Sequence, residues 1–420
     1  MHSHSIVVGK SILFGLKILG RRGSALPGYA IEKIDKNFLR DMLAQLPDGV
    51  VVISGTNGKT TTTKMVAKIL SDSGKRVLTN PTGSNFTRGV VASIVKPVSL
   101  TGKLPFDIAV IELDEAYAAK FVQQIKPRAS LILNVMRDQM DRFGEIDYTA
   151  QLLSAVVKKT TEVVVLNRDD TRVSKLYKDA SASVNYYGVA PSLKDIFRDD
   201  DELHGGSSAS SKQLATVQLD AIDDDKITTT IDGHKKTFAL SLYGLYNAQN
   251  AVAAMALCHA LAVSADQIIK SIATVKPAFG RGERIMVGKK QVILQLVKNP
   301  SGFRQSLLGA SKINDVVTLI AINDAYADGR DVSWLWDVEF KGMINTNGLV
   351  VTSGSRAFDM ALRLSYDDIT TDVIEPKLFT MVNDEISKMN EGQTMLIYTT
   401  YTAMLEIRGY LSKMNTLEEI

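Results

Sequence analysis

The sequence predicts an α/β protein: a central domain with a mostly parallel sheet and a phosphate-binding loop, followed by a C-terminal Rossmann-like α/β domain. Three observations carry the prediction. Apolar runs of strand length alternate with segments of helical periodicity, the pattern of a parallel sheet covered by helices on both faces. A glycine-bearing turn, Gly55-Thr-Asn-Gly-Lys-Thr60, stands between the first strong strand and the helix after it. A length of 420 residues exceeds what one hydrophobic core usually organises, so two or three domains are expected.

Composition narrows the class. Hydrophobic residues at 45% and charged residues at 23% suit a globular enzyme and exclude wholesale disorder. A net charge of +3 is too small for a dedicated nucleic-acid binder, which carries a concentrated basic excess. The single cysteine, Cys258, excludes an intramolecular disulfide and a multi-cysteine zinc site. The N-terminus lacks the uninterrupted apolar core of a signal peptide, so a cytoplasmic address is expected.

Residues 1–45 read as an N-terminal helical arm. No acidic residue precedes Glu32, while Lys10, Lys17, Arg21 and Arg22 punctuate an apolar run that includes Ile12, Phe14, Leu16 and Ile18. The run is too short and too charged to span a bilayer. It either lies on anionic lipid as an amphipathic helix, a peripheral contact at the inner face of the plasma membrane, or packs on the next domain with its lysines in solvent. Gly23 to Tyr29, with Pro27 and Gly28, reads as a turn, and Ile31 to Leu46 as a second helix.

The central domain is placed at 46–281. Val50 to Ile53 is a buried strand, and Met65, Val66, Ile69 and Leu70 give the following helix its period up to Gly74. Further strands are expected at Arg76 to Leu78, Ile108 to Ile111, Ser130 to Leu133 and Val163 to Leu166. An insertion occupies about 190–240: Asp199, Asp200, Asp201 and Glu202, then a serine-rich stretch to Ser211, read as a solvated loop. Beyond that loop Asp232-Gly233 marks a hairpin, because both residues tolerate positive φ, and Ala248 to Leu261 a long helix. A Gly-Arg-Gly segment around Arg281 leads into the C-terminal domain, 282–420, whose clearest strands are Val316 to Ile322, Gly348 to Thr352 and Thr394 to Tyr398.

The chemistry concentrates after the first strand. Gly55, Thr56, Asn57, Gly58, Lys59, Thr60 and Thr61 sit where backbone N–H groups and a helix N-terminus surround a phosphate chain, with Lys59 reaching the β- and γ-phosphates and the Thr60 hydroxyl ligating magnesium. The first glycine of the longer P-loop pattern would fall at Ile53, so this is not the ordinary kinase or GTPase form. The competing reading is a glycine turn that caps a helix. Glu112, with Asp114 and Glu115 beside it, ends a predicted strand and is the preferred metal carboxylate; solvated acids at a strand end are the alternative. Asn134 to Glu145 gathers polar groups where open parallel sheets bind ligands, or forms a charged surface helix.

On these residues the chain resembles the Mur ligase superfamily, through Gly55 to Thr61, Glu112, Asn134 to Gly144, Gly244 to Asn250 and the arginine after Gly280. Within it, Asn80 to Asn85, Arg137 to Arg142, Lys298 to Phe303, Asn323 to Trp334, Ser353 to Arg356 and Thr400 to Met404 resemble the MurT family. The resemblance implies a Mur ligase-like fold with a central P-loop ATPase domain, using ATP and Mg2+. It implies a carbon–nitrogen ligase that activates the α-carboxylate of D-glutamate in the lipid II stem as an acyl phosphate and amidates it to D-isoglutamine. Lys59 and Glu112 are then catalytic, Asn250 and Asn247 contact adenine or else cap their helix, and Arg281 contacts phosphate.

Departures are informative. Gln139 stands where many Mur ligases have a histidine, and the ribose-holding aspartate of amino-acid-adding relatives is missing around Gln295 to Lys298, which favours ammonia as acceptor. The family's zinc-ribbon cysteines are absent between Asp195 and Leu240, so no zinc is expected. Cys258, on an alanine-rich helix, reads as a core thiol rather than a nucleophile. Glutamine hydrolysis is therefore assigned to a partner, a GatD-like glutamine amidotransferase subunit forming a heterodimer. The resemblance implies that an aspartate in this chain completes the partner's Cys-His pair, with Asp331 preferred to Asp328. Trp334 and Trp336 are interface anchors or core residues. Two rivals stand beside this reading: a self-sufficient Mur-type ligase adding an amino acid to a cell-wall or folate-like carboxylate, and an ATP-binding scaffold without turnover.

Overall fold

The computed structural model describes residues 2–19, 26–80, 85–137, 146–203, 205–206, 213–223, 225–242, 244–276, 280–310, 316–344 and 348–413. The chain forms two compact units. The first draws on Met1–Met136, Glu145–Leu240 and Gln249–Val275; the second is mainly Lys276–Ile420, joined by Ser241–Ala248.

The first unit holds nine strands: β1 (Val50–Ser54), β2 (Val77–Thr79), β3 (Ile108–Glu112), β4 (Ala129–Ile132), β5 (Val163–Asn167), β6 (Ser183–Val189), β7 (Val217–Asp223), β8 (Lys226–Ile231) and β9 (His234–Ala239). They lie in the order β2-β3-β1-β4-β5-β6-β7-β8-β9, parallel as far as β7 and antiparallel beyond it. β1, β3, β4 and β5 are buried along their whole length, and most of their residues are apolar, as suits strands covered on both faces. The register sets Ile53 beside Glu112 and Ser54 beside Ile132, so the carboxyl ends of β1, β3 and β4 finish level. The hairpin expected at Asp232-Gly233 joins β8 to β9, with φ of 49° and 80° at its two turn residues.

The N-terminal arm belongs to this core: Ile6, Ile31, Phe38 and Leu43 pack in one cluster with Val50, Ile111 and Leu153. Two expectations need correction here. Pro27 and Gly28 are not a turn but lie in the helix Leu26–Ile34, followed by a separate helix, Phe38–Leu43. Proline is tolerated in a first helical turn, and Gly28 lets that helix approach the neighbouring chain, since a Cβ there would lie 2.0 Å from the Arg88 carbonyl oxygen. Asp199 and Asp200 are buried rather than solvated. Asp199 accepts from the Glu202 N–H at 2.9 Å while its own N–H donates to Glu202 Oε2 at 3.1 Å, a reciprocal cap on the short helix Asp200–Leu203. The serine-rich 207–211 lies outside the described residues.

The second unit holds β10 (Arg281–Val287), β11 (Lys290–Leu296), β12 (Val316–Ala321), β13 (Val350–Ser353), β14 (Val373–Glu375) and β15 (Thr394–Thr399), ordered β10-β11-β15-β12-β13-β14. Only β10 runs antiparallel to its neighbour. Apolar clusters cover both faces, one around Phe303, Phe340 and Tyr398, the other around Met381, Ile397 and Ile407. Both units therefore have the α/β architecture expected.

Candidate active site

The loop from Gly55 to Gly58 joins β1 to the helix Lys59–Asp72, whose N-cap is Gly58. Two glycines make the turn, with φ of 131° at Gly55 and 87° at Gly58. Space as well as backbone angle demands them. A Cβ on Gly55 would lie 2.9 Å from the Asn134 backbone, and one on Gly58 would lie 2.2 Å from Asn250 Oδ1. Asn250, expected near the nucleotide, is thus set against the loop. It lies inside the helix Leu245–Ala260 rather than at its cap, as does Asn247.

The segment after β4 clamps this loop. Asn134 accepts from the Asn57 N–H at 2.8 Å and donates to the Asn57 carbonyl at 3.1 Å, and its own carbonyl accepts from the Thr56 N–H. The Thr56 hydroxyl accepts from the Met136 N–H at 3.1 Å. Asp138 to Glu145, including Gln139, lie outside the described residues.

The expected charged groups meet at the level strand ends. The Thr60 hydroxyl donates to Glu112 Oε1 at 2.8 Å, in a buried contact between the helix start and the end of β3. Lys59 is buried too: its ammonium donates to the carbonyls of Gly55 and Thr56 and lies 3.6 Å from Glu115 Oε2. Thr61, the next residue, is buried in the same first turn. A hydroxyl facing a carboxylate is a hard-oxygen pair of the kind that holds a divalent cation such as Mg2+. One contributor was missed as such. Asn80, just past β2, donates to the Glu112 carbonyl at 2.8 Å and accepts from the Glu112 N–H at 2.9 Å, fixing that strand end. Its place at the end of the strand beside β3 was the available signal.

Behind the clamp lies a buried carboxyl. Asp170 accepts from the N–H groups of Val135 at 2.8 Å, Arg172 at 3.0 Å and Val173 at 2.8 Å. Burial nonetheless lifts it to about 7, against the pull of those donors and with the help of nearby Asp199.

In the second unit, three of the segments that carried the resemblance converge past the carboxyl ends of β12, β13 and β15, where open parallel sheets bind ligands. Asn323 accepts from the Ser355 N–H at 2.9 Å and donates to the Thr402 hydroxyl at 3.1 Å, while Arg356 pairs with Asp324 at 2.8 Å. The two candidate aspartates separate clearly. Asp328 is 6% exposed and tied to Thr402 through both its N–H, at 2.6 Å, and its hydroxyl. Asp331 is exposed, and bonds from the Ser333 hydroxyl and N–H hold its carboxyl below the usual carboxylate range. Trp334 packs toward the core beside Phe303, whereas Trp336 is 50% exposed against Tyr366. Arg281 opens β10, but its side chain lies outside the described residues. Gln295 accepts from the Tyr246 hydroxyl at 2.7 Å.

Cys258 is fully buried in the first unit, and burial pushes its thiol up, which makes it a core residue as expected.

Comparison with known proteins agrees with this geometry. The model of the Mur ligase middle domain matches residues 53–258, and that of the MurT ligase C-terminal domain matches 296–404. The chain is 31% identical to the lipid II isoglutaminyl synthase (glutamine-hydrolyzing) subunit MurT of Streptococcus pneumoniae, over 97% of this chain and 96% of that one. It is 28% identical to the Staphylococcus aureus (strain COL) subunit of the same name, over 93% and 94%. Among solved structures it is similar to MurF from Acinetobacter baumannii, with a TM-score of 0.68 and 17% identity over 93% of this chain and 81% of that one. MurF from Thermotoga maritima in complex with ADP gives a TM-score of 0.66 and 15% identity over 91% and 84%.

Proposed function

The chain belongs to the MurT family of Mur ligases, and from that premise we propose that it is the ATP-using synthetase subunit of a two-chain amidotransferase. Its substrate is the α-carboxylate of D-glutamate in the lipid II stem peptide, and its product D-isoglutamine. The observation that carries the reading is the buried meeting of Lys59, Thr60 and Glu112 at one strand end, in a chain whose curated relatives carry this activity in their names.

Residues 46–281 form the nucleotide domain and 282–420 the partner-facing one. Backbone N–H groups of Gly55 to Thr61 receive the phosphate chain, and the Lys59 ammonium, now satisfied by loop carbonyls, turns to the γ-phosphate. Mg2+ bound by Thr60 and Glu112 would supply charge neutralisation on the phosphate oxygens. The substrate carboxylate takes the γ-phosphoryl group from ATP to give an acyl phosphate and ADP; ammonia attacks the acyl carbon, phosphate leaves, and the nitrogen loses a proton to give the amide. Lys59 offsets the charge on the phosphoryl oxygens during transfer. Asn250 beside Gly58 is assigned to adenine, as is Asn247, and Arg281 to phosphate.

Ammonia comes from a GatD-like glutaminase subunit, because the one cysteine here is sealed in the core. Asp331 is assigned to complete that partner's Cys-His pair: it is exposed and ionised, whereas Asp328 is committed to Thr402.

The test is incubation of the purified chain with ATP, magnesium, ammonium chloride and lipid II, with mass spectrometry for carboxylate-to-amide exchange at D-glutamate. Amidation is expected without glutamine. Failure that persists after the partner subunit is added refutes the substrate assignment.

A further inference from the structure

We propose that the exposed face of the N-terminal helix Ser3–Ile18 docks on an anionic lipid bilayer. The sequence left two roles open for this segment, packing or lipid contact, and the structure divides them between two faces. One face is fixed to the first unit: Ile6 is fully buried, and a Cβ on Gly9 would lie 2.7 Å from Ile31 Cδ1 and 2.8 Å from Val95 Cγ1. The helix is thus held rigidly and close.

The other face is apolar and open. Val7, Phe14 and Ile18 stand seven and eleven residues apart, which aligns them along one side of a helix, and they are 49%, 68% and 69% exposed. Lys10 and Lys17, three and ten residues after Val7, flank the same line. The Lys10 ammonium donates to the Lys96 carbonyl at 3.1 Å, next to the turn that presents exposed Leu100. The helix carries no acidic residue. The acids near its start are engaged, Asp35 with His2 at 2.6 Å and Glu32 with Arg88 at 3.1 Å.

An apolar stripe with lysines along one side and no acid on the helix matches the acyl and headgroup layers of an anionic membrane, with the helix lying in the interface plane. A second copy of the chain would set the Lys10 and Lys17 rows against each other, which disfavours self-pairing on this face. Among the described residues no helix is long and apolar enough to cross a membrane, so contact stays at the surface. A lipid-anchored substrate of the kind proposed above is met at such a surface. Vesicle binding is read without turnover, so failure here and failure of the ligase reading are told apart.

The experiment floats the full chain with phosphatidylcholine vesicles that contain phosphatidylglycerol, and with phosphatidylcholine alone. Binding is expected only to the anionic vesicles and weakens with salt. Phe14→Ser with Ile18→Ser should lower it by about tenfold, and Lys17→Glu alone by about fivefold, each with an unchanged melting temperature because the side chains are exposed. Absence of wild-type flotation, or equal flotation by the apolar double variant, would overturn the proposal. So would a dimer, or a complex with the glutaminase subunit, that the double variant abolishes.

Discussion

Asp170→Asn probes how the clamp behind the phosphate loop is held. The wild-type carboxyl titrates at about 7 in the folded chain, against an ordinary 3.8. Because the folded value is raised, the unfolded chain loses its proton first. The stability this group contributes is complete below about pH 4 and is lost as pH rises to about 7. At about 1.4 kcal/mol per pKa unit, the difference is about 4 kcal/mol across that window. Asparagine does not titrate, so the wild-type minus variant stability should fall by about 1.4 kcal/mol per pH unit and flatten above pH 7. Asparagine also cannot accept all three bonds, from Val135, Arg172 and Val173, so one N–H is left unpaired. That costs about 1–2 kcal/mol at low pH. The sign of the difference therefore reverses: the variant is the weaker protein near pH 4 and the stronger near pH 8. Urea unfolding followed by circular dichroism, repeated at about one-unit steps across that range, measures it. Parallel curves for the two proteins would refute the reasoning, since they would mean that the three N–H donors keep the carboxyl ionised throughout.

Three other outcomes follow from the site. Lys59→Ala should reduce substrate-dependent ADP formation by about a hundredfold or more while leaving partner binding intact in a pull-down; retained turnover removes the assigned phosphate site. Asp331→Asn should depress the glutamine-dependent reaction and spare the ammonium-dependent one, whereas Asp328→Asn should lower the melting temperature by loosening Thr402. Equal loss with both nitrogen sources in the Asp331 variant eliminates its cross-interface role. Gly58→Ala forces a side chain into φ of 87° and onto Asn250. The backbone penalty alone is about 1–2 kcal/mol, so calorimetric ATP affinity should drop by about tenfold, and unaltered affinity would show that the loop relaxes freely.

Strands buried on both faces were legible from their apolar runs, as in Val50 to Ile53 and Val163 to Leu166, with only the final residue of each strand, Ser54 and Asn167, polar. The hairpin at Asp232-Gly233 was legible because its turn chemistry is local. β10 and β11 escaped notice: their Arg, Glu, Lys and Gln positions break the apolar run. Pro27 and Gly28 were misread for a different reason, that what demands the glycine is the Arg88 carbonyl, sixty residues away. Asp199-Asp-Asp-Glu202 did carry the spacing of a reciprocal cap, but its acidity suggested solvent. At the site, the loop and Glu112 could be named from their neighbours in sequence. Their meeting depended on β3 lying beside β1, and the supports from Asn80 and Asn134 depended on contacts between distant segments.

Among the described residues the sheet of the first unit ends at β9, whose outer edge pairs with no other strand of that sheet. An open edge is a template on which another chain can zip. Here the strand is mostly exposed and begins His234-Lys235-Lys236, so any chain approaching to extend the sheet meets two ammonium groups in succession. This edge therefore guards against fibril-like stacking, leaving association to surfaces that do not rely on backbone pairing.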